Sequence, residues 1–223
     1  MLKDFIKYIL FIIGLRKTVP SRYINRIKIK ENNEKLVIIN DTPNLFFAPD
    51  LKKTIYLRES VYQKIKDAAK KLPEGYFFKI YSAYRPMEEQ KRLWKKNYAI
   101  MKQNNPTASK NELTQMTKAV CADPRKGFGG HQTGGAVDIS LCDNNGINYN
   151  MGTNYLETSD KIKTNAKNIS AEAKKNRKIL YNALTSLDFV NYPNEWWHFC
   201  YGDRMWAAYK KKNFCFYGIA NIL

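Results

Sequence analysis

Histidine is scarce in this chain of 223 residues: only His131 and His198 occur, so chemistry that needs an imidazole has two places to happen. No Cys-x-x-Cys pair exists among Cys121, Cys142, Cys200 and Cys215, which excludes a zinc ribbon and a thioredoxin-like redox motif. The four thiols read as small buried hydrophobes, with two disulfides left open if the protein is exported. The apolar run over 8–15 is too short to span a bilayer, which takes about 20 residues. Internal repeats and low-complexity tracts are missing as well. Acidic residues are few, 20 against 38 Lys and Arg, for a formal charge of +18. That surplus draws the protein towards polyanions, an anionic cell-wall polymer among them. The lysines are spread along the chain rather than gathered in one basic tail, so nucleic acid is not the expected partner.

With 44% hydrophobic and 13% aromatic residues, the chain has the means to bury a core and the length of one domain. Residues 20–223 are expected to form that domain. Residues 1–19 form a separate apolar segment, readable as a signal, as an anchor on a membrane surface through 1–17, or as a helix packed on the body. Early lysines favour export to the periplasm or cell envelope over the cytoplasm, although no small-x-small cleavage site follows Leu15.

Periodicity predicts an α+β fold: a small central antiparallel sheet flanked by helices. Short extended pieces are expected over 27–30 and 35–39 as a wrapping arm, with a turn at 40–44. A helix follows over 60–71, capped by Ser60. The aromatic and β-branched run 76–82 reads as a central strand. Pro86 opens a helix through Ile100, with Glu88 and Glu89 in its first turn. Ser109 and Glu112 make a capping box for another helix. Five glycines and Pro124 mark 121–135 as a loop, and 136–141 as a strand. The turn 143–146 predicts a hairpin into 147–151, and 170–187 a long helix. The segments 189–192 and 195–201 form a last strand pair.

Both histidines stand in patterns suited to metal chemistry. A catalytic zinc takes three protein ligands and keeps an open position, and hydrolysis also needs a carboxylate to handle protons. His131, Asp138 and His198 supply the ligands for one ion in a cleft on the sheet. Glu195, three residues before His198, is the candidate general base. Arg85, at the end of the strand over 76–82, is the candidate oxyanion stabiliser, because a guanidinium offers a fork of donors. Trp196 and Trp197 read as core and cleft wall.

Tyr84-Arg85-Pro86, His131-x6-Asp138, Met151-Gly152-Thr153 and Glu195-Trp196-Trp197-His198, in this order over residues 76–206, resemble the bacterial D-alanyl-D-alanine dipeptidases of the VanX type. The same scaffold serves D,D-carboxypeptidases and the hedgehog signalling domain. The resemblance implies zinc-dependent cleavage of D-alanyl-D-alanine, or a related small D-amino-acid peptide, in peptidoglycan metabolism. It puts the roles above on His131, Asp138, His198, Glu195 and Arg85, with Tyr84 and Trp197 as candidates to line the substrate. One departure bears on specificity. The family's aspartate for the substrate ammonium follows an aromatic residue, where this chain has Leu156, so Glu157 becomes the candidate anchor. The Gln132-Thr133-Gly134 run leans towards D,D-carboxypeptidases, and a D,D-carboxypeptidase or endopeptidase acting on longer muropeptides is the alternative. A non-catalytic, zinc-stabilised binding protein is the alternative of another class.

Overall fold

The computed structural model describes residues 2–40, 42–51 and 54–222. The chain opens with helices α1 (Leu2–Ile12) and α2 (Ser21–Ile24), then strands β1 (Lys28–Ile29), β2 (Leu36–Ile39), β3 (Leu45–Phe47) and β4 (Ile55–Arg58). Helix α3 (Glu59–Ala69), strand β5 (Phe77–Ser82), helices α4 (Met87–Asn104) and α5 (Lys110–Val120) and strand β6 (Ala136–Cys142) follow. Helix α6 (Ala171–Thr185), strands β7 (Val190–Asn191) and β8 (His198–Cys200), helix α7 (Arg204–Tyr209) and strand β9 (Phe214–Cys215) complete it.

The central sheet has the order β3-β5-β6-β8-β7. Four of its strands run antiparallel, as expected, whereas the edge strand β3 runs parallel to β5. The reason is the connection: between β3 and β5 the chain passes through β4 and α3, and a crossover of that length returns a strand in the same direction. Two small ribbons flank the sheet, β1 parallel to β9 and β2 antiparallel to β4.

Alternation along the strands separates the two faces. Phe78, Ile80, Val137, Ile139, Leu141 and Phe199 occupy one face, fully buried, in one cluster with Val61 and Ile65 of α3 and Leu180 and Leu184 of α6. The opposite face carries Ser82, Asp138 and His198, aligned across three strands by the pairings Ser82 with Asp138 and Asp138 with His198. Between Ile80 and Ser82 the register slips, adding Tyr81 to β5. Bulges of this kind re-aim side chains beside functional sites.

Several local expectations meet their tertiary context here. The capping box of α5 forms, with Glu112 N–H donating to Ser109 Oγ and Ser109 N–H to Glu112 Oε2. Ser60 lies inside α3, not at its cap. Arg58 holds the cap position, and the first turn is satisfied by Glu34, which accepts from Ser60 N–H at 2.5 Å. The turn at 143–146 closes on Asp143, yet the expected hairpin return shrinks to one bridge, Cys142 with Asn148. Beyond that bridge the Asn150 carbonyl accepts from Asn176 Nδ2–H of α6. The expected turn at 40–44 includes Asp41, which lies outside the described residues. All four cysteines are buried free thiols.

Candidate metal centre

His131 sits in a 3-10 turn, Gly130–Thr133, that approaches the end of β5. The turn is tight: Gly134 closes it at φ +72°, where a side chain would be strained, and a Cβ on Gly130 would collide with the Asp203 carboxylate and Ala136. Arg58, buried, grips the turn from outside by donating Nε–H to the Thr133 carbonyl at 2.8 Å and its backbone N–H to Gly134. His131 Nδ1 lies 2.7 Å from the Ala83 carbonyl. A carbonyl only accepts, so Nδ1 carries the proton and Nε2 is left with its lone pair facing the sheet.

That Nε2 is 3.4 Å from Asp138 Oδ1, and His198 Nδ1 is 2.9 Å from the same oxygen. One ligand atom from each of the three buried residues lies within 4.8 Å of the others. Ligands about 2.1 Å from a tetrahedral ion stand about 3.4 Å apart, so two imidazoles and a carboxylate at this spacing fit zinc. The shorter contact is a charge-assisted hydrogen bond. Burial holds the His131 imidazole below its usual pKa. Burial works to raise Asp138, but the two imidazoles outweigh it and keep the carboxylate ionised far below its usual range. For His198 burial also opposes charge, and the bond to Asp138 prevails and raises it.

Glu195 is half-buried in the turn that precedes β8, within electrostatic reach of His198, Asp138 and Arg85. Its backbone is fixed by a turn in which Glu195 N–H donates to Tyr192 and His198 N–H to Glu195. Burial raises its carboxyl pKa, against the pull of His198 and Arg85. Arg85 is aimed from both sides, donating to Gln90 Oε1 at 2.9 Å and to Ser82 Oγ at 3.0 Å. The structure therefore brings together His131, Asp138, His198, Glu195 and Arg85. Tyr84 adjoins them but donates its hydroxyl to the Ala220 carbonyl at 2.7 Å, tying down the C-terminal segment. Trp197 is 3% exposed, part of the core, and reaches the centre through the edge of the Tyr155 ring. Glu157 accepts from Asn154 N–H and Ser159 Oγ–H within its own loop. Leu156 beside it is 62% exposed at φ +62°.

Two residues that sequence reasoning passed over organise the centre. The Tyr155 hydroxyl donates to Asp138 Oδ2 at 2.9 Å, while its ring stacks on Tyr81. Asn191 Nδ2 lies 3.0–3.3 Å from the carbonyls of Glu195, Trp196 and His198, so one amide shapes the whole Glu-Trp-Trp-His turn. Trp196 in turn donates its indole N–H to Thr153 Oγ1, joining that turn to the Met-Gly-Thr block. Tyr155 lies two residues past the Met151-Gly152-Thr153 block, as the aromatic residue before Leu156, and that position was the available signal; Asn191 carries no local signal.

An α+β scaffold presenting His, Asp, His with an adjoining carboxylate and guanidinium defines a metallohydrolase-type centre. A family model described as D-ala-D-ala dipeptidase matches residues 47–219, and the chain belongs to that family. Among curated proteins, a D-alanyl-D-alanine dipeptidase of Synechocystis sp. is 32% identical over 88 residues, 34% of this chain and 36% of that protein. A D-alanyl-D-alanine dipeptidase of Escherichia coli is 27% identical over 125 residues, 54% of this chain and 52% of that protein. The chain thus spans between a third and about half of the length of these relatives. A solved vancomycin-resistance D,D-pentapeptidase, VanY, in complex with Zn(II), aligns with a TM-score of 0.48 at 17% identity, covering 86% of this chain and 96% of that one.

Proposed function

We propose that the protein is a zinc metallopeptidase that hydrolyses D-alanyl-D-alanine or a closely related D-amino-acid dipeptide of peptidoglycan metabolism. The observation that carries this reading is the convergence of His131 Nε2, Asp138 Oδ1 and His198 Nδ1 beside Glu195 and Arg85. Family membership and the names of the relatives support the substrate class. The three ligand atoms would hold one zinc ion, which when bound supplies Lewis acidity to a carbonyl and to water.

The chain's own groups account for the proton transfers and the charge. Glu195, with a pKa raised by burial, accepts a proton from the attacking water and returns it to the leaving amine nitrogen. Arg85, held by Ser82 and Gln90, offers donors to the oxygen that becomes negative as the peptide carbon turns tetrahedral. Its fixed orientation spares the reorganisation that a free side chain would need.

A second reading, cleavage of longer muropeptides by D,D-carboxypeptidase action, is favoured by one observation. The position of the family's ammonium-binding aspartate is Leu156, and the Glu157 carboxylate is engaged within its own loop. The test is to follow D-alanine release from free D-alanyl-D-alanine and from muropentapeptide, with zinc, by the wild type and Glu195→Ala. Release from the dipeptide, lost in the variant, is expected. Release from the pentapeptide alone would transfer the assignment to the second reading. No release from either, with zinc bound, would leave the zinc-stabilised binding protein.

A further inference from the structure

Helix α1 meets the body through its aromatic side. Tyr8 stacks on Tyr23 with ring centroids 4.1 Å apart, and Phe11 meets Tyr209 in a T-shaped contact at 5.5 Å. Residues three and four apart share a helix face, so Leu2, Ile6, Ile9 and, just past the helix end, Ile13 line the side away from these rings, with Phe5 and Ile12 along its edge. All six are exposed, from 36% at Ile12 to 71% at Leu2, and none of the helix's residues is buried. A continuous apolar stripe this long facing water marks an interaction surface rather than a scatter of exposed side chains. Among the described residues, no helix is long and apolar enough to cross a membrane.

The surroundings of the stripe identify the occupant. Lys3 and Lys7 border it along one edge of the helix, and Lys211 Nζ donates to the Ile12 carbonyl at its C-terminal end. Immediately beyond, a groove of about 750 Å³ is lined by Lys17, Lys167, Lys174, Lys178 and Lys210, with no carboxylate among its lining residues. Tyr209, the ring under Phe11, also lines this groove, so the basic groove and the helix adjoin. An apolar stripe bordered by lysines complements a bilayer surface: apolar side chains enter the acyl boundary while ammonium groups meet phosphates. A second copy of this chain, itself carrying +18, would set these lysines against one another.

We propose that α1 is an interfacial anchor that seats the protein on an anionic lipid bilayer, with the stripe 2–13 in the acyl boundary and the lysine groove over headgroup phosphates. The test is co-sedimentation of the full chain with vesicles of phosphatidylcholine alone and of phosphatidylcholine with phosphatidylglycerol. Wild type should partition onto the phosphatidylglycerol vesicles, less so as salt rises, and weakly onto the neutral ones. Ile6→Asp/Ile9→Asp and, separately, Lys3→Glu/Lys7→Glu should each lower partitioning about tenfold, with unchanged thermal melts and unchanged hydrolysis in solution. Failure of wild type to bind the anionic vesicles, or equal binding by the apolar-face variant, overturns the proposal. So does a wild-type dimer in sedimentation velocity that the same variant dissolves, since the stripe would then belong to a second copy.

Discussion

Tyr155→Phe isolates a single interaction at the centre. The ring would keep its stack on Tyr81, at 4.5 Å between centroids, and its edge contact with Trp197 at 5.5 Å, because phenylalanine fills the same volume. Only the hydroxyl that donates to Asp138 Oδ2 at 2.9 Å would be lost. A hydrogen bond to a charged group is worth about 1.5–3 kcal/mol, and partners that orient a metal ligand are typically worth about 10–100-fold in metal affinity. At about 1.4 kcal/mol per factor of ten, the two scales agree. The expected result is zinc affinity weakened about 10–100-fold, read by competition against a chromophoric chelator. The melting temperature without zinc should fall little, since the ring stays packed. Zinc affinity within about twofold of wild type would refute the reasoning, because Asp138 would then be oriented without Tyr155.

Arg85→Ala should lower kcat about 10²–10³-fold, the usual cost of losing an oxyanion donor, with zinc content unchanged by elemental analysis. The same variant removes a positive charge that pulls the Glu195 pKa down, so the acid limb of its kcat/KM profile should move to higher pH; an unmoved limb would separate Arg85 from Glu195. Asn191→Ala strips the amide from the Glu195–His198 turn and leaves buried carbonyls unpaired, a cost of about 1–3 kcal/mol. At this chain length that is a melting shift of roughly 2–12 °C in a thermal scan.

What was legible in the sequence was local. His131 precedes a strand whose alternation fixes the side of Asp138, and Glu195 precedes His198 within one turn, so each half of the centre could be read by itself. The step that joins them, Asp138 opposite His198, pairs residues of different strands and leaves no mark on either segment. The same limit explains the misplaced cap of α3. Ser60 is a good capping residue by type, but Glu34 of the arm already accepts its N–H. Trp196 and Trp197 read as core and cleft wall because tryptophan chiefly supplies buried area, and both are buried, packed edge to face on one another with Tyr155 against Trp197. Helix α7 is too short for a periodic signal and is held by Asp203, which accepts from Trp206 N–H, and by the packing of Trp206 on Phe216.

The arm before residue 47 reaches the centre although it lies outside the family match. Glu34 accepts from Ser60 N–H, from Ser60 Oγ–H at 3.1 Å and from Tyr217 Oη–H at 2.7 Å, while its carbonyl accepts from Arg58 Nη1. Arg58 is the residue that grips the His131 turn, so the arm supports the first metal ligand through one guanidinium. Burial works to raise the Glu34 pKa, but these donors outweigh it and the net shift is downward. A carboxylate depressed on folding adds stability above its unfolded pKa of about 4.3, and that contribution is lost as pH falls through the lower folded value. Glu34→Gln removes the charge and should cost about 1–2 kcal/mol at neutral pH, after allowing for its partial exposure. The gap to wild type should close as pH falls below about 4 in urea titrations. A gap that persists in acid would show that the arm acts through packing alone. A gap that closes, together with weaker zinc binding by Glu34→Gln at neutral pH, would place the arm in the support of His131.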